Sequence, residues 1–172
     1  MARLTLSDLT DSERNHVATC VHEAGHAVLA VLAGATVTQC YARPDGDGRA
    51  EYFGHDPQRE AGIAWAGPYA EALFIYDGQP SADVLNDYLT NASLEDAEAL
   101  RGRRGWTVES DVRSAMPAIR RLAARLYAQG FVTNTEVRAA LGVRPGMDID
   151  MVRWAYRNRI APESITLPGS AA

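Results

Sequence analysis

Histidines at positions 22 and 26 bracket a glutamate, and the run that holds them is patterned as a helix. The residues read His22-Glu23-Ala24-Gly25-His26. Residues four apart on a helix project from nearly the same side, so both imidazoles can point at one ion. Upstream, Thr10 and Glu13 make a T-x-x-E capping box, with Asp11 and Ser12 as further cap candidates. Val17, Cys20, Val21, Ala24, Val28 and Val31 then recur at three- and four-residue steps, an apolar stripe that must face a core. Gly34 is a C-terminal stop. Together these signals predict a helix from about Glu13 to Ala33, with His22 and Glu23 off the stripe and His26 at its edge. The H-E-x-x-H pattern also occurs in proteins without metal. Gly25 adds weight to a built site, because a mid-helix glycine costs about 1 kcal/mol relative to alanine and implies a close neighbour at the backbone.

The rest of the chain is consistent with one globular domain around that helix. A length of 172 residues with 47% hydrophobic content is enough to bury a core. The longest apolar run here, Ala24 to Ala35, is too short to span a bilayer and carries His26. The first eight residues lack an apolar segment, so no signal peptide is expected. Two cysteines, Cys20 and Cys40, are too few for a disulfide framework. Cys20 falls on the apolar stripe and reads as a buried thiol, and the expected compartment is a reducing cytoplasm. A net charge of -5 argues against nucleic acid as the main partner.

Thr36 to Arg43 and Arg49 to Phe53 are strand-like and joined by a turn-rich segment, a hairpin. Asp45 and Asp47 in that turn lack the further ligands of a calcium loop. Asp56-Pro57 opens a second helix, which Gly67-Pro68 is expected to kink or restart before it continues from Tyr69 to Tyr76. Asp77 to Gly105 is polar, with short helical patterns near Ala82 to Leu89 and Leu94 to Leu100, the latter capped by Ser93 with Asp96. Arg101-Gly102-Arg103-Arg104-Gly105 reads as cations closing a helix, not as a nucleic-acid patch. Thr107 caps a long helix, Val108 to about Gln129, that Pro117 should bend or split. Thr135 to Leu141 and Asp150 to Tyr156 read as two more helices, and the residues from Pro162 as loose. The expected fold is mainly α with a small β-hairpin, an α+β class. It forms a single domain over residues 1–172: a core at 13–130 and a helical C-terminal extension at 131–172.

The residue types suggest zinc-assisted hydrolysis of an amide bond. Zinc takes three protein ligands and keeps a fourth position open. His22 and His26 supply two, and Glu23 lies close enough to act as general base on a water. The third is not fixed by spacing. Among Glu71, Asp83, Glu95, Asp96, Glu109 and Asp111, a carboxylate in a first helical turn is the best oriented. That leaves Asp83, Asp96, Glu109 and Asp111 open.

Val21-His22-Glu23-Ala24-Gly25-His26-Ala27-Val28 resembles the zinc helix of the peptidase domain of FtsH-type AAA proteases. Gly67-Pro68-Tyr69-Ala70-Glu71-Ala72-Leu73 is similar to the G-x-x-A-E-x-x helix that follows the hairpin in that family. Glu109-Ser110-Asp111-Val112 is similar to its S/N-D motif, and Leu122-Ala123-Ala124-Arg125-Leu126 and Thr135-Glu136-Val137 to what comes after. The resemblance covers roughly residues 15 to 141. It implies a zincin-like helical metallopeptidase domain with Zn²⁺ held by His22, His26 and Asp111, Glu23 as catalytic base, and peptide or unfolded protein as substrate. This chain departs from it in the polar stretch from Asp77 to Gly105, which looks inserted, and in Pro117. No G-x-x-x-x-G-K-[ST] loop is present, so ATP-driven unfolding would need a separate unfoldase or regulator as partner, and cleavage by the chain itself is expected to be ATP-independent. The rival reading is a zinc-binding adaptor or regulatory protein without activity. Thr135-Glu136-Val137 with Leu141-Gly142-Val143 and Trp154 would give such a protein a helix-turn-helix pattern for DNA.

Overall fold

A computed structural model describes residues 8–101 and 106–165, with residues 106 and 107 defined by backbone alone. Helix α1 runs from Asp11 to Leu32. The capping box forms as expected: the Thr10 side chain accepts from the Glu13 amide, and Glu13 Oε2 accepts from the Thr10 amide at 2.9 Å. From Cys20 onward every residue of α1 except His22 is buried, so the helix is covered on nearly all sides and not along one stripe alone. A helix that is apolar nearly all round belongs in a core, and α1 is the axis on which the other elements are arranged.

Strands β1 (Thr36–Ala42) and β2 (Gly48–Phe53) form the antiparallel hairpin, with a register shift between Val37 and Gln39. A short β3 (Phe131–Val132), which sequence periodicity could not show, pairs antiparallel with β1 and makes the sheet order β2-β1-β3. Only two residues long, β3 carries too little pattern to be read. Among the described residues β2 is left as a free edge.

Helix α2 (Glu60–Ile75) follows a single 3-10 turn, Pro57–Arg59, that Asp56 caps. It runs unbroken through Gly67-Pro68, against the expected kink or restart. Proline removes only the amide that would serve the carbonyl of Ala64, and packing against α1 on both sides of that point holds the helical path. Gly25 is what permits that packing. A β-carbon there would lie 2.7 Å from the Ala66 carbonyl oxygen and 3.0 Å from the Ala70 β-carbon. The close neighbour implied by the glycine is therefore the backbone of α2.

Helices α3 (Ala82–Thr90) and α4 (Leu94–Leu100) fall within a residue of their expected limits. They are pinned by buried Leu85 and Leu100. Helix α5 (Trp106–Gln129) starts ahead of the expected Thr107 cap and is not split at Pro117. Val112, Ala115, Ile119, Leu122 and Leu126 form its buried face. The expected basic cluster lies outside the described residues apart from Arg101, which closes α4 in a left-handed conformation with φ 49°. Helices α6 (Asn134–Ala140) and α7 (Ile149–Arg157) complete the chain. The segment from Pro162 is not loose throughout: Pro162–Ser164 forms a 3-10 turn with Pro162 buried, and Arg144 donates to the Ile165 carbonyl. The fold is mainly helical with a small antiparallel sheet, the expected α+β class.

Candidate metal centre and active-site cleft

The middle of α1 presents His22, Glu23 and His26 to a cleft of about 970 Å³ bounded by β2, the first half of α2 and the N-terminal turn of α4. Helical spacing sets the two imidazoles side by side, their ring centroids 4.7 Å apart. Each ring is anchored by its outer nitrogen. His22 Nδ1 meets Glu71 Oε2 at 2.9 Å, and His26 Nδ1 donates to the Ile63 carbonyl at 2.8 Å. Glu71 is itself held, because the Tyr88 hydroxyl donates to its other oxygen at 3.1 Å. With both Nδ1 atoms engaged outward, both Nε2 lone pairs are left facing inward, the arrangement that orients imidazole for a metal.

The inward nitrogens meet a carboxylate from α4. Asp96 Oδ2 is 3.5 Å from His22 Nε2, and Asp96 Oδ1 is 3.5 Å from His26 Nε2. Ligand atoms of all three residues lie within 4.8 Å of one another. These separations suit a shared ion better than direct hydrogen bonds. Ligands bonded at about 2.0–2.1 Å in a tetrahedron sit about 3.3 Å from each other. Two neutral imidazoles and one carboxylate are also a donor set zinc accepts with a position left over. Asp96 is oriented by its own helix cap: Ser93 Oγ accepts from the Asp96 amide at 3.1 Å and donates to Asp96 Oδ2 at 3.0 Å. Of the first-turn carboxylates left open by sequence, this is the one the fold brings to the histidines.

Asp111 is not brought there. It is buried further along α1, where Arg157 grips it through Nε and Nη2, both at 2.8 Å. It lines a separate small pocket with Leu29, Leu32 and Arg153. Because α5 opens at Trp106, Asp111 falls in its second turn and not in the first as expected; the group that neutralises it is a guanidinium from α7, and no motif near residue 111 signals a partner 46 residues downstream. Glu109 accepts from the Trp65 indole at 3.2 Å, and Asp83 is exposed. Of the other histidines, His16 packs its ring at a tilt against Tyr127, centroids 4.8 Å apart, while His55 lines the same cleft and is joined to Glu60.

The electrostatics of the cluster favour a cation. Burial opposes a charge on His22, yet Asp96, Glu71 and Glu23 outweigh it and push its pKa up to about 10. Burial likewise works against ionisation of Asp96, but the two histidines hold its carboxyl well below the usual range. The surroundings thus bind positive charge at this point, a proton or a metal ion. Glu23 behaves differently. Its burial raises its pKa, the two histidines pull it partly back, and Asp96 and Asp47 raise it further. A buried carboxylate whose proton affinity is raised by its surroundings is a candidate for proton transfer. The cysteines are no rival nucleophiles: both are buried, and burial with the charge of Glu23 pushes Cys20 up to about 12.

Two residues supporting the site were not assigned a role by sequence. Gly67 lies under His26, where a β-carbon would run into the imidazole. Glu71 fixes the ring of His22. Their signal was in the string Gly67-Pro68-Tyr69-Ala70-Glu71, which places both on one face of α2. Glu71→Gln is expected to weaken zinc binding about 10–100-fold, the usual effect of loosening a carboxylate behind a metal-bound imidazole. A competition titration against a chromophoric chelator measures it, and an unchanged Kd would mean Glu71 is dispensable.

Residues 7–76 match the family model described as Peptidase M50B-like. That stretch is metallopeptidase-like. It contains His22, Glu23, His26, Gly67 and Glu71 and ends before α3, so Asp96 and Asp111 both lie beyond it. The match supports a metallopeptidase at this general level and does not single out the FtsH type. No curated protein and no solved structure matches the chain. No helix among the described residues is long and apolar enough to cross a membrane.

Proposed function

We propose that this chain is a zinc metallopeptidase that hydrolyses peptide bonds in extended, unstructured polypeptide without ATP. The observation that carries the reading is the convergence of His22, His26 and Asp96 on one point, with Glu23 beside it in an open cleft. In this reading His22, His26 and Asp96 would hold the ion, and zinc bound there would supply Lewis acidity for the scissile carbonyl and a water of pKa about 7. Glu23 takes the proton from the attacking water and delivers it to the departing nitrogen, the second transfer being helped by its raised affinity for protons. Glu71 and the Ile63 carbonyl keep the two rings from turning while charge builds up. The free edge of β2 runs along the cleft and offers main-chain groups to an extended substrate, as in strand addition to a sheet edge. Phe53 and Leu94, on opposite walls and 60% and 77% exposed, offer apolar contact to its side chains.

Casein should be cleaved by the zinc-loaded protein at the same rate with and without ATP, while a stably folded protein of similar size stays intact. Activity should disappear with chelator and return with added Zn²⁺. A gel assay of product against time decides it. Failure to cut any unfolded substrate despite stoichiometric zinc would shift the reading to a zinc-binding adaptor.

A further inference from the structure

The cleft carries more negative charge than hydrolysis requires. Beyond Glu23 and Asp96 its walls hold Asp47, Glu51, Glu60 and Glu95, against a single arginine among the described residues, Arg49. Asp47 is countered from outside by Arg43 at 2.9 Å. Glu60 accepts from the Tyr52 hydroxyl at 3.2 Å and is joined to His55. Glu51 and Glu95 stand on facing walls, β2 and the first turn of α4, and the guanidinium of Arg49 lies between them. Its Nε is 2.9 Å from Glu51 Oε1 and its Nη2 is 3.5 Å from Glu95 Oε1. The cleft therefore already seats one guanidinium between two carboxylates, supplied by the chain itself. Side chains at this seat are roughly half exposed or more, so the ion pairs are of the weak kind that exchange partners readily.

We infer that the cleft selects extended polypeptide with lysine or arginine side chains next to the scissile bond, the substrate's cation joining or replacing Arg49 between Glu51 and Glu95. A strand laid along β2 sends alternate side chains to the same face, so one residue in two of the substrate falls on the side of Arg49 and Glu51. Cleavage of such a substrate rests on the metallopeptidase reading. Binding does not, which allows the two to be tested apart.

The test uses zinc-loaded protein with Glu23→Gln and three fluorescent peptides of equal length that differ only in having lysine, glutamine or glutamate at alternate positions. Anisotropy titrations at low ionic strength should show the lysine peptide binding about tenfold more tightly than the glutamine peptide, and the glutamate peptide most weakly. The lysine advantage should shrink several-fold when the salt is raised to about 0.5 M. Adding Glu51→Gln and Glu95→Gln should abolish most of it, while zinc content and Tm confirm that this variant is folded. Arg49→Gln should act in the opposite direction and enlarge it a few-fold. Equal binding of the three peptides, no binding of any, or a lysine preference undiminished without Glu51 and Glu95 would each overturn the inference. If the lysine peptide is preferred but wild-type protein cleaves no peptide, the charge selection stands and the peptidase reading falls. If all three are bound and cleaved alike, the reverse holds.

Discussion

Asp96→Ala is expected to lower zinc affinity by about 100-fold or more, exceeding the effect usual for residues behind a ligand, while Asp111→Ala leaves it unchanged. The two carboxylates are alike in sequence terms, each expected near the start of a helix, and both are buried. The fold separates them. Asp96 faces two imidazole nitrogens at 3.5 Å, and Asp111 faces the fork of Arg157. Asp111→Ala should instead cost stability, about 1–3 kcal/mol, because it removes a buried acceptor of two charged hydrogen bonds. Metal content after dialysis, read beside the denaturant midpoint of each variant, separates the two roles. Zinc loss in Asp111→Ala with retention in Asp96→Ala would return the third position to Asp111 and require α4 to move aside.

The second large effect concerns chemistry without metal loss. Glu23→Gln should keep stoichiometric zinc and reduce kcat by about 10²–10⁴-fold, the range of a lost general base. The amide fills the same space, and Glu23 is not among the converging ligand atoms. Its neighbours are unusual for a proton carrier. The backbone carbonyl of Glu23 lies 3.9 Å from Cys40 Sγ, which ties this residue to β1, and its side chain is only slightly exposed. Single-turnover cleavage with zinc measured in the same samples tests the prediction. If metal disappears together with activity, Glu23 belongs to the coordination and not to proton transfer.

Sequence reading went furthest where chemistry is local. The capping box at Thr10, the turn-rich link between β1 and β2, and the cap at Ser93 each place their cause within a few residues of their effect, and each element appears where expected. His22, Glu23 and His26 were legible for the same reason, since one helical turn relates them. What was not legible depends on distant packing. Pro68 and Pro117 were expected to interrupt helices, but tertiary contacts on either side override a single missing amide. The partner of Asp111 comes from α7, and the anchor of His22 is 49 residues away. Helix position left four carboxylates open as the third candidate ligand. Choosing among them required knowing that α4 packs against α2 beside the two histidines, which no periodicity encodes.

The three converging groups are unevenly founded. Two come from the largely buried second half of α1, and one from a seven-residue helix that Leu100 and a serine cap hold in place. Undocking so short an element needs far less free energy than unfolding the domain. With a metal held by these three residues, exchange with a chelator would be timed by the opening of α4 while the interior stayed intact, and the lifetime of the ion would be tunable from the surface of α4 without altering a residue in the core.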